Sequence, residues 1–312
     1  MNDLLVVGAG PMGSAYVPIL KTLGVDFAVV GRGITSASRL QDKYRVTVHT
    51  GGLKHYLCGR SAPYSAIVAV PIEQLAACTE ALALAGTKRI LVEKPGALGT
   101  GDLSQLMTSL ARTQARVWIG YNRRFLQSVL AARSMINEDG GVTSFFFEFS
   151  EWVDRVLASS ASSQVKERWV VANSSHVIDL AFHLGGLPAL LATWTEGSLI
   201  WHRSGERFTG AGSTEGGALF SYRSDWSSPG RWKLELNTSR RRLLLSPLEE
   251  VYEMRSGSGS FKLVAVNNEI DRKFKPGLFC QTKAFIEGDR DLMCSIKDQS
   301  RQMPLFEKIA GY

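Results

Sequence analysis

The stretch LLVVGAGPMGSAYVPILKTL, residues 4–23, decides the fold. Its first four residues are apolar and read as a buried strand, while residues 13–23 carry a helical pattern. Between them lie Gly8, Gly10 and Gly13, spaced GxGxxG. Strand, glycine turn and helix in that order open a βαβ unit. Each glycine then answers a physical need, in turn a tight bend, close approach of backbone to a pyrophosphate, and close packing of helix on strand. The helix N-terminus adds oriented N–H groups suited to an anion. The turn is therefore expected to hold phosphates through Gly8, Gly10, Pro11, Met12 and Gly13.

The same alternation runs outward to about residue 120. Apolar runs at 26–30, 66–70, 90–92 and 117–119 read as further strands, with amphipathic segments such as 72–85 between them. Alternation of this kind predicts a parallel sheet covered on both faces. After Tyr121 the pattern changes. A helical segment over 126–136 leads to the turn Asp139, Gly140, Gly141, and a strand is expected over 144–152. Further on, Trp232, Leu234 and Leu236 alternate with Lys233, Glu235 and Asn237, the period of a sheet with one buried face. Strands over 251–254 and 261–266 and a helical pattern over 281–309 complete the chain, and SSASS at 159–163 reads as a loop. The predicted class is α/β: a Rossmann, doubly wound parallel sheet over 1–120, followed by an α+β domain with a mainly antiparallel open sheet over 121–312. The last helix is a candidate to pack back on the first domain.

Composition agrees with two folded domains. The 312 residues are 45 % hydrophobic and 21 % charged, which excludes disordered, fibrous and collagen-like chains. The apolar run 75–86 contains Thr79 and Glu80 and falls short of the roughly 20 residues that span a bilayer. With a strand beginning at Leu4, no secretory segment is expected, and the reading is a cytoplasmic protein with no membrane partner. Cys58, Cys78, Cys280 and Cys294 show no CxxC pair, so reduced thiols are expected rather than a zinc or redox site. Lys+Arg 36 against Asp+Glu 29 leaves a net charge of +7. Its densest run, Arg240, Arg241 and Arg242, sits between a strand pattern and three leucines and reads as a solvated turn, so nucleic acid is not expected as a partner.

The choice of dinucleotide follows from the end of the second strand. NAD-specific sites usually place Asp or Glu there to hold the ribose 2′-OH. This chain has Gly31, Arg32 and Gly33, with Thr35, Ser36 and Arg39 close behind. A guanidinium pairs with a 2′-phosphate and stacks on adenine, so NADP(H) is expected as the preferred cofactor, with NAD(H) as the alternative. The strand at 90–92 runs into Glu93, Lys94 and Pro95, which places Lys94 beyond the carboxyl end of the sheet, where ligands of open α/β sheets bind.

Taken with these residues, the chain resembles the glucose-fructose oxidoreductase, inositol dehydrogenase and rhizopine-catabolism family (Gfo/Idh/MocA). The resemblance rests on GAGPMG at 8–13, EKP at 93–95, YNRRF at 121–125 and HVIDLAFH at 176–183, in that order; the region 196–260 resembles the family in architecture alone. It implies that Lys94, Asp179 and His183 line the substrate site. The cofactor set it suggests adds Gly31, Arg32, Val70, Pro71, Glu93 and Lys94 to the glycine turn.

On a helix, His176, Asp179 and His183 fall within about 60° of one another. Val177, Ile178, Leu180, Ala181, Phe182 and Leu184 make the rest of that helix apolar, so the polar stripe must face a cavity or partners. Asn173 or Ser174 is expected to cap it, and Gly185, Gly186 and Pro188 to end it. Two histidines and a carboxylate are enough ligands for a metal, but hydride transfer needs none, and no metal is expected. The reading adopted is acid/base chemistry: His183 moves the hydroxyl proton, Lys94 polarises the carbonyl or steadies the alkoxide, and Asp179 orients substrate hydroxyls and tunes both. His176, Tyr121, Asn122, Arg123 and Trp169 are the candidate substrate contacts, with Arg124 and Arg168 beside them. Asn173 and Ser175 stand where many family members have Asp and Gly. The predicted function is an NAD(P)-dependent dehydrogenase or reductase of a sugar, polyol or nucleotide sugar, a small-molecule enzyme assembling as a homodimer or homotetramer through its open sheet. The alternatives are a reductase of a cyclic imine or biliverdin-like substrate, and a non-catalytic NADP-binding sensor.

Overall fold

The computed structural model of the chain describes residues 4–312, so the start of the expected first domain, residues 1–3, lies outside the described residues. Two compact units emerge: the chain up to Tyr121 joined by Leu278–Arg301, and Asn122–Gly277 joined by Gln302–Tyr312.

In the first unit β1 (Leu4–Val7), α1 (Pro11–Thr22), β2 (Phe27–Val30), α2 (Ile34–Tyr44), β3 (Val48–His49), α3 (Gly52–Leu57), β4 (Ser65–Val68), α4 (Leu75–Leu84), β5 (Arg89–Glu93), α5 (Thr100–Leu110) and β6 (Arg116–Gly120) follow one another. The strands pair in parallel in the order β6-β5-β4-β1-β2-β3. Every residue of β1, β2 and β4 is buried, as a sheet covered on both faces requires. Three boundaries differ from expectation. The first helix begins at Pro11 rather than Gly13, where a proline loses nothing because the first N–H has no helical partner. Segment 72–85 opens with a 3₁₀ turn, Ile72–Gln74, before α4. Strand β3, two half-buried residues, is too short to show a period.

The second unit holds α6 (Gln127–Glu138), β7 (Ser144–Phe149), α7 (Val153–Ala158), α8 (Ser163–Glu167), α9 (Ser175–Gly185), β8 (Pro188–Glu196), β9 (Arg207–Thr214), β10 (Leu219–Asp225), β11 (Trp232–Asn237), β12 (Arg241–Leu245), β13 (Tyr252–Arg255), β14 (Lys262–Leu263) and α10 (Glu269–Lys273). Its sheet has eight strands in the order β14-β13-β12-β11-β7-β10-β9-β8. All neighbours are antiparallel except β7 and β10. Helix α9 packs on β7 and β11. There Phe145 and Phe147 of β7 meet Phe182 of α9 edge-on and stack on Phe220 and Tyr222 of β10, pairs that each add about 0.5–1.5 kcal/mol beyond their burial. Of the expected strand 261–266 only Lys262–Leu263 pairs, and both residues are exposed. The SSASS stretch does more than loop: the Ser162 hydroxyl caps α8 by accepting from the Val165 N–H at 3.2 Å.

The chain then returns. α11 (Leu278–Glu287) packs on α1, β15 (Cys294–Ser295) pairs antiparallel with β6 as a seventh strand, and α12 (Ile296–Ala310) follows. The helical pattern over 281–309 is thus two helices split at Gly288, with φ +82°, and the second unit does not run on to the end of the chain as a block 121–312. The four cysteines are free thiols. Among the described residues no helix is long and apolar enough to cross a membrane, and no group of three or more His, Cys, Asp or Glu could hold a metal ion. The basic run is paired: Arg241 reaches Asp139 at 2.7 Å and Glu253 at 3.2 Å, and Arg242 reaches Glu235 at 3.4 Å.

Candidate active site

The glycine turn after β1 is cramped at two positions and open at the third. A Cβ on Gly8, at φ +120°, would lie 2.3 Å from the Ala69 carbonyl oxygen. On Gly13 it would lie 1.8 Å from Gly8 O, which is the close approach of α1 to the strand. Gly10, at φ −82° and N-terminal to α1, has nothing within 4 Å of the same position. Only there does the backbone face open space beside a helix N-terminus, the arrangement a pyrophosphate needs. Pro11 is exposed and Met12 half-buried on the same rim.

At the end of β2, Gly31 is buried with room for no Cβ, which would meet Ala9 at 2.8 Å, and Arg32 is exposed. The Ser36 hydroxyl donates to Gly33 O at 3.2 Å, so it closes the local turn rather than waiting for a ligand. Thr35 and Arg39 are exposed, Val70 is half-buried and Pro71 exposed. Glu93 is held within the unit. It is 9 % exposed, and its carboxylate accepts from the Tyr16 hydroxyl of α1 at 2.7 Å. Burial first, then the Glu93 charge, hold the Tyr16 phenol well above its ordinary pKa. Glu93 therefore ties β5 to α1. Lys94 is half-buried between the buried runs 91–93 and 95–98.

In the second unit the segment after Tyr121 turns inward. Tyr121 and Asn122 are buried, and the Asn122 amide donates to Pro276 O at 2.7 Å. Asn122 thus ties this segment to Pro276 through its amide N–H. Arg123 forms an ion pair with Glu249 and lies over the Trp232 ring at 5.8 Å. Arg124 is buried and grips Asp179 with both arms, Nε to Oδ2 at 2.8 Å and Nη2 to Oδ1 at 2.5 Å. Asp179 is fully buried. Both of its oxygens accept from the guanidinium, which fixes the carboxylate inside the unit. Arg168 pairs with Glu307 and covers the Tyr312 ring.

From Ser175 to Phe182 of α9 every residue is buried except His176, which is half-buried, and His183 comes next at the half-buried end of the helix. The stripe therefore carries two half-buried imidazoles, with His176 Nδ1 and His183 Nε2 enclosed, on the helix that bears the Arg124–Asp179 pair. The cap expected from Asn173 or Ser174 does not form. Val170–Ser174 make a π-helical turn leading into α9, and both side chains donate instead to Glu151, from Asn173 at 3.0 and 3.1 Å and from Ser174 at 2.7 Å. Trp232 Nε1 donates to the same carboxylate at 3.2 Å, and the Trp169 indole favours its charged form as well. Glu151 keeps some exposed surface as a residue, but its carboxyl is enclosed, and desolvation raises its pKa against the pull of those four groups.

These groups line a cleft of about 310 Å³ containing Glu151, Trp169, Asn173 and Trp232, with Trp152 and Arg155 on its lining as well. His176 lies beside it, 5.8 Å from the Trp232 ring. Trp169 is expected here from the sequence; Glu151 and Trp232 are not. Their sequence signal is faint, a lone Glu inside the expected strand 144–152 and a Trp whose alternation argues only for sheet packing. Chemically, an aromatic-walled cleft with polar side chains on its lining suits a hydroxylated ring.

By sequence, no family model matches the chain and no curated protein matches it. Its fold does have matches among solved structures. Levoglucosan dehydrogenase in complex with NADH superposes with a TM-score of 0.79 at 16 % identity, covering 99 % of this chain and 96 % of that one. UDP-N-acetylglucosamine 3-dehydrogenase from Acidithiobacillus ferrooxidans gives 0.77 at 14 % identity over 98 % and 95 %. An oxidoreductase from Agrobacterium radiobacter in complex with NAD+, L-tartaric acid and magnesium gives 0.78 at 13 % identity over 97 % and 94 %. The chain has the fold of these dehydrogenases and oxidoreductases, the fold that its resemblance to the Gfo/Idh/MocA family implies.

Proposed function

We propose that the chain is an oxidoreductase moving hydride between a nicotinamide dinucleotide and a secondary alcohol or ketone of a sugar, polyol or nucleotide sugar, with NADP(H) preferred over NAD(H). The observation that carries this reading is Gly10, open to space between two glycines that cannot bear a side chain, in a fold shared with sugar dehydrogenases. The glycine turn, with Gly31 and the rim residues Val70 and Pro71, would hold the dinucleotide, and exposed Arg32 would meet the 2′-phosphate. When bound, the nicotinamide supplies or takes the hydride.

The residues of the chain handle the proton and the substrate. His183 is assigned as the group that takes or returns the hydroxyl proton, and Lys94 as the cation that steadies the oxygen. Asp179 is a positioning residue, holding Arg124 under the imidazoles. His176, Trp169 and Arg123 are assigned to the substrate, the ring resting against indole faces. Cytoplasmic location and assembly as a homodimer or homotetramer complete the reading.

The test is fluorescence titration with NADPH and NADH, then turnover of a sugar and nucleotide-sugar panel by wild type and His183→Ala. The variant should lose about 10²–10⁴-fold in kcat with unchanged dinucleotide affinity. Equal turnover would remove His183 from its role, and tight NADH binding with none for NADPH would remove Arg32 from its own.

A further inference from the structure

The excess positive charge of the chain has one concentrated seat, and it is not in the arginine triplet. In the first unit, Lys88, Arg89, Arg116 and Arg290 line a cleft of about 540 Å³ with Tyr64 and Trp118. Arg89 and Arg116 are the first residues of β5 and β6 and are partners in the strand register. Parallel strands lie about 4.8 Å apart and in-register side chains leave the same face, so two guanidinium groups start side by side. Like charges placed this way oppose sheet formation. Arg290 adds a third guanidinium above the Trp118 ring at 5.9 Å.

Among the described residues, no carboxylate forms an ion pair with any of these four cations. Arg89 donates to the carbonyl oxygens of Phe285 and Ile286, and Lys88 to the Gln114 side chain at 2.9 Å. Desolvation, with the charges of Arg290 and Arg116 behind it and Tyr64 opposing, pushes the Arg89 pKa down. A local conflict of like charges that no carboxylate neutralises marks a site that serves something other than folding. The cleft is also separate from the glycine turn. It opens at the N-terminal ends of β5 and β6, whereas Lys94 follows the C-terminal end of β5, about 13 Å along the strand.

We propose that this cleft binds a small molecule carrying two or more phosphate charges, held between Arg89, Arg116, Arg290 and Lys88, with a flat ring against the exposed face of Tyr64. Arginine forks match phosphate oxygens in pairs, and Tyr64, 58 % exposed, offers a stacking surface. Free pyrophosphate and a nucleoside diphosphate share this chemistry, and Tyr64 separates them.

The experiment is calorimetric titration of the whole protein with pyrophosphate, ADP and adenosine, using wild type, Arg116→Gln/Arg290→Gln and Tyr64→Ala. Wild type should bind one pyrophosphate, and the double variant should bind it at least tenfold more weakly. ADP bound more tightly than pyrophosphate, with the difference lost in Tyr64→Ala, would identify a nucleotide; equal affinities would identify the free polyphosphate and overturn the part given to Tyr64. Because the double variant removes repelling charges, its Tm without anion should equal or exceed that of wild type. A lower Tm would make the cations structural and overturn the proposal, as would absence of pyrophosphate binding or equal binding by wild type and double variant.

Discussion

Replacing Arg124 with Met leaves Asp179 a buried carboxylate without the guanidinium that grips both its oxygens. Both partners are out of solvent, with side-chain exposures of 6 % and 0 %, and the contact is bidentate. Breaking such a pair from one side costs about 3–5 kcal/mol, because the surviving charge has no water to replace its partner. For a unit of this size that corresponds to a Tm lowered by roughly 6–20 °C. Replacing both, Arg124→Met with Asp179→Leu, removes the stranded charge, so the double variant should be far more stable than the sum of the single losses predicts. The assay is tryptophan fluorescence during thermal and urea unfolding. Six of the seven tryptophans, all but Trp118, belong to the second unit, so the signal reports that unit almost alone. A single Arg124→Met loss below about 1 kcal/mol, the range of exposed ion pairs, or additive losses in the double variant, would refute the argument.

The glycine turn gives a paired prediction. Gly10→Ala should fold with unchanged Tm and lose at least about tenfold in dinucleotide affinity, whereas Gly13→Ala, whose Cβ would overlap Gly8 O, should lower the Tm of the first unit; titration and differential scanning calorimetry read the two. Equal dinucleotide binding by wild type and Gly10→Ala would show that the open space is not where the phosphates lie. Glu151 gives a pH dependence. Its pKa is raised from the ordinary 4.5, so the folded protein holds that proton more tightly than the unfolded chain; the resulting stability is fully present below about pH 4.5 and lost as pH rises through the raised value. The Tm of wild type relative to Glu151→Gln should therefore fall as pH rises above the ordinary 4.5, and a flat or rising difference would contradict the assigned burial.

The parallel sheet is legible in the sequence because βαβ units announce themselves in short apolar runs, and the stripe of α9 because its apolar surroundings leave three polar residues on one side. What the stripe does is not legible. Arg124 meets Asp179 across 55 residues of sequence, and no period links a turn residue to a helix interior. Asn173 and Ser174 sit where a cap is expected, yet a carboxylate brought by the end of β7 competes for them, and tertiary hydrogen bonds outrank a local preference. The four-cation cleft is hidden for the same reason: its members come from three separate segments, while in the arginine triplet, conspicuous in sequence, Arg241 is neutralised by Asp139 after α6 and Arg242 by Glu235 of β11. The helical pattern near the end does mark helix, but in two elements rather than one, since a two-residue strand such as β15 has no period to show.

That late strand bears on how the molecule is made. β6 acquires its second neighbour only from Cys294–Ser295, so on the ribosome the first unit emerges early and waits for nearly the whole chain before its sheet closes. Until then β6 is an open edge, a template for pairing with other chains. A nonsense mutation anywhere in Asn122–Gly277 would thus damage the first unit as well as the second, and a single protease cut between Tyr121 and Leu278 would free neither unit intact.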